Sequence, residues 1–231
     1  MAVQTREEDG RLLITLDDGD KNALVPEHFQ ALIEALDAPS STEAVVLTGR
    51  PGVFTVGLDL RWMEANGREG VHRLLVGFGQ ALMRLWTEPR PTVCAANGHA
   101  VAAGTMFAMA CDHAIAAEGG KWGLVETQID FEIPRFGITL ARANVRADRV
   151  DDLILPGRRI DAAGAVEVGY ADELAAEGEV WERALAHAEQ LASLPARAYA
   201  GTKRRLRGAA ADEVLANLDA DIAALTAHLP G

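Results

Sequence analysis

Lysine is nearly absent from this chain. Only Lys21, Lys121 and Lys203 occur among 22 basic residues, against 34 acidic ones, and the formal net charge is -12. That balance argues against nucleic acid as a partner, because phosphate binding needs concentrated Lys and Arg. It argues equally against an anionic membrane surface. Cysteine is as scarce. Cys94 and Cys111 form no CxxC pair and no framework of spacings, so reduced thiols in a cytoplasmic protein are expected. No apolar run reaches the ~20 residues of a bilayer-crossing helix. The longest, Thr92 to Ala96 and Ala100 to Ala110, suit buried elements. The opening Met1-Ala2-Val3-Gln4-Thr5-Arg6-Glu7-Glu8 has no signal-peptide core. Metal-type His/Cys spacings, a Walker loop and G-x-S-x-G are also missing, so no metal site is expected.

What is present is an ordinary globular composition. The 231 residues are 49% hydrophobic, enough for one domain with a sizeable core. Arg11 to Leu16, Ala44 to Thr48, Thr92 to Ala96 and Asp112 to Ala116 read as strands. Helical spacing of apolar residues predicts helices over Pro26–Asp37, Gly70–Thr87 and Ala103–Cys111. The second half turns helical: Pro134–Val145, Arg149–Leu155, Ala162–Val168 between an Asp161 cap and a Gly169 stop, and Glu179–Leu194. Two more helices are expected, Pro195–Arg207 and Ala211–Leu229. The alternation predicts an α/β layered fold.

Two glycine turns stand out, each following an apolar strand. One is Val53-Phe54-Thr55-Val56-Gly57-Leu58-Asp59-Leu60, the other Asn97-Gly98-His99-Ala100-Val101-Ala102-Ala103-Gly104-Thr105-Met106. Small residues leave backbone N–H groups uncovered. Two such donors aimed at one point can hold an oxygen that gains negative charge during a reaction. Either turn alone is explained as well by close backbone packing at a strand–helix junction.

Together with four further segments in order, the turns resemble the crotonase family, also called enoyl-CoA hydratase/isomerase. The further segments are Asp20-Lys21-Asn22-Ala23-Leu24, Gly123-Leu124-Val125-Glu126, Gly157-Arg158-Arg159-Ile160-Asp161-Ala162 and Thr202-Lys203. The resemblance spans most of residues 10 to 207 and implies a ββα spiral core, placed at 1–190, with a C-terminal helical trimerisation region at 191–231. It also implies a homotrimer or dimer of trimers, acting on acyl-CoA thioesters, with coenzyme A entering as part of the substrate and no separate cofactor.

The same resemblance places oxyanion donors at the N–H groups of Leu58 and Ala103, and a proton-transferring acid at Glu126. It puts Lys21, Ala23, Leu24, Gly57, Asp59, Leu60, Gly104 and Lys203 beside the coenzyme A thioester, and Arg61 is a further phosphate candidate. Hydratases of the family carry a second glutamate where this chain has Met106. A thioether moves no proton, so the chain leans to single-glutamate double-bond isomerisation. Two alternatives stand beside it. One is an enoyl-CoA hydratase using Asp130, Glu132 or water in place of the missing acid; the other is a protein that binds acyl-CoA without catalysis. His99 and Thr105 are expected to be structural, with the Thr105 hydroxyl bonded within its own helix.

Overall fold

A computed structural model describes residues 3–229. The chain opens with a hairpin, β1 (Val3–Glu8) antiparallel to β2 (Arg11–Leu16). A two-residue strand β3 (Ala23–Leu24) leads to α1 (Pro26–Asp37), which starts on Pro26, where the ring costs no helical hydrogen bond. Then β4 (Ala44–Gly49), β5 (Gly52–Thr55) and β6 (Gly57–Leu58) run into α2 (Leu60–Trp86). The pattern repeats as β7 (Thr92–Ala96), β8 (Gly98–Val101) and α3 (Ala103–Ala110), and again as β9 (His113–Ala117), β10 (Lys121–Gly123) and a 3-10 turn, Glu126–Ile129. The remainder comprises α4 (Arg135–Asn144), α5 (Val150–Ile154), β11 (Ile160–Asp161), α6 (Ala162–Val168), β12 (Glu173–Ala175), α7 (Val180–Ala192) and α8 (Ala196–Thr226).

Three times, therefore, a strand of one sheet is followed at once by a strand of another. β4, β7 and β9 belong to a six-stranded sheet of order β1-β2-β4-β7-β9-β12; β5, β8 and β10 belong to a four-stranded sheet of order β11-β10-β8-β5. This is the ββα spiral implied by the resemblance. Its corners need glycine. A Cβ on Gly49 would stand 2.2 Å from Val53 O, and one on Gly98 would stand 2.2 Å from Gly52 O, far inside contact distance. Both faces of the six-stranded sheet are covered, which is why its parallel strands read as unbroken apolar runs. Leu12, Ile14, Val45, Leu47 and Cys94 face the main core with α1 to α4 and α8; Leu13, Val46, Val93 and Ile115 face α7.

Three departures from the expected elements stand out beside the short strands. β1 was not anticipated, because Val3–Glu8 is an almost wholly exposed edge strand with no inward-facing alternation. α2 begins ten residues before the expected Gly70, because Asp59 accepts from the N–H groups of Arg61 and Trp62 and so caps an extra turn. The extra turn is set off by a break at Gly67 (φ 56°, ψ -165°). Finally, α8 is one 31-residue helix, where two were expected. Gly208, which falls between the two expected helices, leaves the space that the Arg204 side chain crosses to reach Asp212 at 2.8 Å. Val214, Leu218, Ile222 and Leu225 of α8 join the main core.

Candidate active site

The first glycine turn is fixed by β6 pairing with β3, Ala23 opposite Gly57 and Leu24 opposite Leu58. Successive residues of a strand point their N–H groups to opposite sides. Asp59 N–H donates to Leu24 O at 3.0 Å, so the Leu58 N–H points away from β3 and is free for a ligand. Asn22 holds the loop from below. It is buried at φ 54°, a conformation asparagine tolerates, and its Nδ2 donates to Leu16 O (2.8 Å) and Phe54 O (2.9 Å).

The second turn ends at Ala102, a non-glycine residue at φ 53° whose N–H donates to Gly123 O at 2.8 Å. Such backbone is strained and persists only where its surroundings enforce it. It swings the chain directly into α3, whose first N–H groups, from Ala103, Gly104 and Thr105, have no acceptor within the helix. A Cβ on Gly57 would stand 3.2 Å from Ala102 Cβ and 3.7 Å from Ala103 N. The two turns therefore meet, with the Ala103 donor on a helix N-terminus that favours negative charge.

Glu126 opens the 3-10 turn that follows β10. Its side chain is buried, and Oε2 has no hydrogen-bond partner. Burial pushes its pKa up to about 7, opposed only by its own backbone N–H. A carboxyl with that pKa gives and takes protons at neutral pH.

The chain from residue 6 to residue 229 matches the profile of the family described as enoyl-CoA hydratase/isomerase. The chain belongs to that family. Relatives include a putative enoyl-CoA hydratase of Thermus thermophilus, 36% identical over 187 residues, with 78% of this chain and 74% of the relative covered. Another is the mitochondrial enoyl-CoA delta isomerase 1 of Homo sapiens, 33% identical over 212 residues and covering 87% and 68%. Among solved structures, an apo enoyl-CoA isomerase of Mycobacterium tuberculosis matches with TM-score 0.90 at 30% identity, covering 96% of this chain and 98% of that one. The human mitochondrial delta3-delta2-enoyl-CoA isomerase matches with TM-score 0.93 at 26% identity, covering 98% and 91%.

In this hydratase/isomerase family member the other expected site residues fall into two groups. Lys21, Ala23, Leu24, Gly57, Leu58, Asp59 and Leu60 are gathered at the first turn by the β3–β6 pairing, and Gly104 packs against Thr55 of that turn, a Cβ there meeting Thr55 O at 3.0 Å. Lys21 is exposed, with its carbonyl accepting from Val56 N–H at 3.3 Å. Asp59 reaches the site through its backbone alone, because its carboxylate is spent on the α2 cap.

The rest stand elsewhere. Asp130 and Glu132 are exposed, and neither carboxyl bonds to Glu126; only the Asp130 N–H reaches it, at the backbone carbonyl. Lys203, expected at coenzyme A, is buried at 5% exposure and donates to Glu88 O (2.7 Å), Arg90 O (2.7 Å) and Asp112 Oδ2 (2.5 Å). All three ammonium protons are taken, so none is left for a phosphate. Arg207 also binds Asp112, at 2.7 Å, and Tyr199 OH adds a third contact at 2.8 Å. Met106 is 1% exposed and lies against α4, its Cε 2.9 Å from where a Gly137 Cβ would stand. It is a packing residue.

Two participants, Thr55 and Tyr170, were not singled out in the sequence, and a third, Thr105, was expected to bond within its own helix. Thr55 and Thr105 are fully buried, and each hydroxyl bonds two backbone groups, in both cases reaching outside its own element. Tyr170 is buried; burial, opposed by the Leu124 backbone and aided by the Glu126 charge, pushes the phenol up to about 12. Thr55 and Thr105 lie within the two glycine turns, but only their chemistry, polar groups in apolar stretches, hinted at a role; Tyr170 belongs to no motif. A surface groove of about 840 Å³, lined by Arg6, Thr48, Asn97 and Trp181 among others, contains none of these residues. Among the described residues no group of His, Cys, Asp and Glu could hold a metal ion.

Proposed function

We propose that this protein moves the double bond of a 3-enoyl-CoA thioester to the 2-position, with Glu126 as the single proton carrier. The carboxylate takes a proton from C2, between the carbonyl and the double bond. The enolate oxygen is held by the N–H groups of Leu58 and Ala103, which lowers the cost of forming it. Glu126, now a carboxylic acid, returns the proton to C4, and the double bond lies between C2 and C3. One residue serves as base and then acid, and no water is consumed.

The observation that carries this reading is the contrast between Glu126 and residue 106. Glu126 is buried, unpartnered and raised to about 7, whereas the position offering a second acid holds a buried thioether. Likeness to the human delta isomerase supports it. The hydratase reading is favoured by the name of the Thermus relative but needs a second acid, and both candidates, Asp130 and Glu132, are exposed. Coenzyme A is proposed to run past Lys21 at the first turn. A homotrimer or dimer of trimers in the cytoplasm is proposed with it, supported by the large apolar side chains of Leu155 and Leu206, 70% and 78% exposed in the isolated chain.

The test is a paired assay on a short 2-enoyl-CoA and a 3-enoyl-CoA, with wild type and Glu126→Gln. Conversion of the 3-enoyl thioester that depends on Glu126 is the expected result. Fast hydration of the 2-enoyl thioester would establish the hydratase reading, and binding without turnover of either would point to a protein that does not catalyse.

A further inference from the structure

Each oxyanion turn is backed by one buried threonine. Thr55 Oγ1 donates to Asn22 O and accepts from Gly57 N–H at 3.1 Å, one residue before the Leu58 donor. Thr105 Oγ1 donates to Ala100 O at 2.6 Å and accepts from Gly123 N–H at 3.0 Å. Both are 0% exposed. The two also meet through Gly104, since a Cβ there would stand 3.0 Å from both Thr55 Cγ2 and Thr55 O.

A threonine hydroxyl can donate and accept at once, and here both capacities are used in opposite directions across a junction. Thr105 joins the first turn of α3, which carries the Ala103 donor, to Gly123, three residues before Glu126. The Ala102 N–H donates to the same Gly123, closing the link on both sides of the strained residue. Thr55 joins the β3 loop to the turn that carries Leu58. Buried, doubly bonded hydroxyls in a low-dielectric interior are costly to leave unpaired, so they hold their partners in one arrangement.

We propose that Thr55 and Thr105 are positioning residues that set the distance and angle between the two oxyanion donors and Glu126. The proposal rests on the oxyanion-hole reading above. Neither residue touches substrate. Each acts by fixing the backbone that does.

The test uses Thr55→Val and Thr105→Val, which keep shape and remove the hydroxyl, with Thr55→Ser and Thr105→Ser as rescue and Thr55→Ala and Thr105→Ala should a valine variant fail to fold. Turnover of the 3-enoyl-CoA is measured beside a readout that needs no turnover, the enolate absorbance of bound acetoacetyl-CoA. Misplacing a reacting group by about 1 Å costs on the order of 100-fold, so each valine variant is expected to lose roughly 10- to 100-fold in kcat. KM should stay within about threefold, the enolate fraction should fall, and serine should restore both. A lowered Tm with kcat and enolate fraction unchanged would overturn the proposal, as would serine variants as defective as valine. If the wild type enolises acetoacetyl-CoA but isomerises nothing, the isomerase reading fails while the latch is judged on the enolate band. If the wild type shows no enolate at all, the oxyanion hole fails and the latch with it.

Discussion

The amide nitrogen of Ala103 lies 3.7 Å from the point where a Cβ on Gly57 would stand. The two residues are far apart in sequence, and each belongs to a turn that alone signifies little. Their meeting is what the proposed oxyanion site rests on. Gly57 has φ 103°, and a methyl group there would also press on Ala102. Gly57→Ala should therefore cost about 1–3 kcal/mol of stability and at least about tenfold in kcat, read from thermal unfolding and from the 3-enoyl-CoA assay.

Glu126→Gln removes the proton carrier but keeps the shape. General acid–base catalysis contributes roughly 100- to 10,000-fold, and a loss in that range is expected, with thioester binding retained in a titration. A loss below about threefold would remove Glu126 from the mechanism.

The pH behaviour follows from the same residue. The base form of Glu126 begins the reaction, so kcat/KM should fall as pH drops through about 7. Stability runs the other way. The folded pKa is raised above the ordinary 4.5, so the native state binds this proton more tightly than the unfolded chain. Stability from this group is present below about 4.5 and is lost as pH rises towards 7, by up to about 3 kcal/mol. Glu126→Gln should thus be inactive yet more heat-stable than wild type at pH 8, and lose that advantage at pH 4.5, as measured by Tm at both pH values.

Lys203→Met separates a structural lysine from a coenzyme A ligand. It leaves the buried Asp112 with Arg207 and Tyr199 but without its ammonium partner. Breaking a buried pair costs about 3–5 kcal/mol, lessened here by the remaining partners. A clear drop in Tm is expected, with KM for the thioester within about twofold of wild type. A tenfold rise in KM would return Lys203 to the substrate.

Met106→Ala tests the packing role. The cavity should cost about 2–5 kcal/mol, and kcat should fall by much less than in Glu126→Gln. An equal loss in both would mean that the thioether shapes the reacting geometry as well as the core.

Much of this architecture can be read from residue order. The apolar runs of β4, β7 and β9, the amphipathic period of α1, Pro26 at its start, and Asp161 and Gly169 around α6 are local signals, set by backbone sterics and burial within a few residues. Six segments in order carried the family, and with it the expectation of an acid at Glu126. Length and context misled where a distant partner decided the outcome. A break between two helices is expected around residue 208 until Arg204 is seen crossing Gly208 to Asp212. Lys203 looks like a phosphate ligand until Glu88, Arg90 and Asp112, about a hundred residues earlier, are folded around it. The sequence by itself determined most of the helices and the central strands, the family and the chemistry on offer, because propensity, periodicity and motif spacing are local. Only the tertiary structure decided that the turns carrying Leu58 and Ala103 meet, that Glu126 is buried while Asp130 is exposed, and that Thr55 and Thr105 bond across those turns. Desolvation and convergence depend on which segments pack together, and no single segment contains that information.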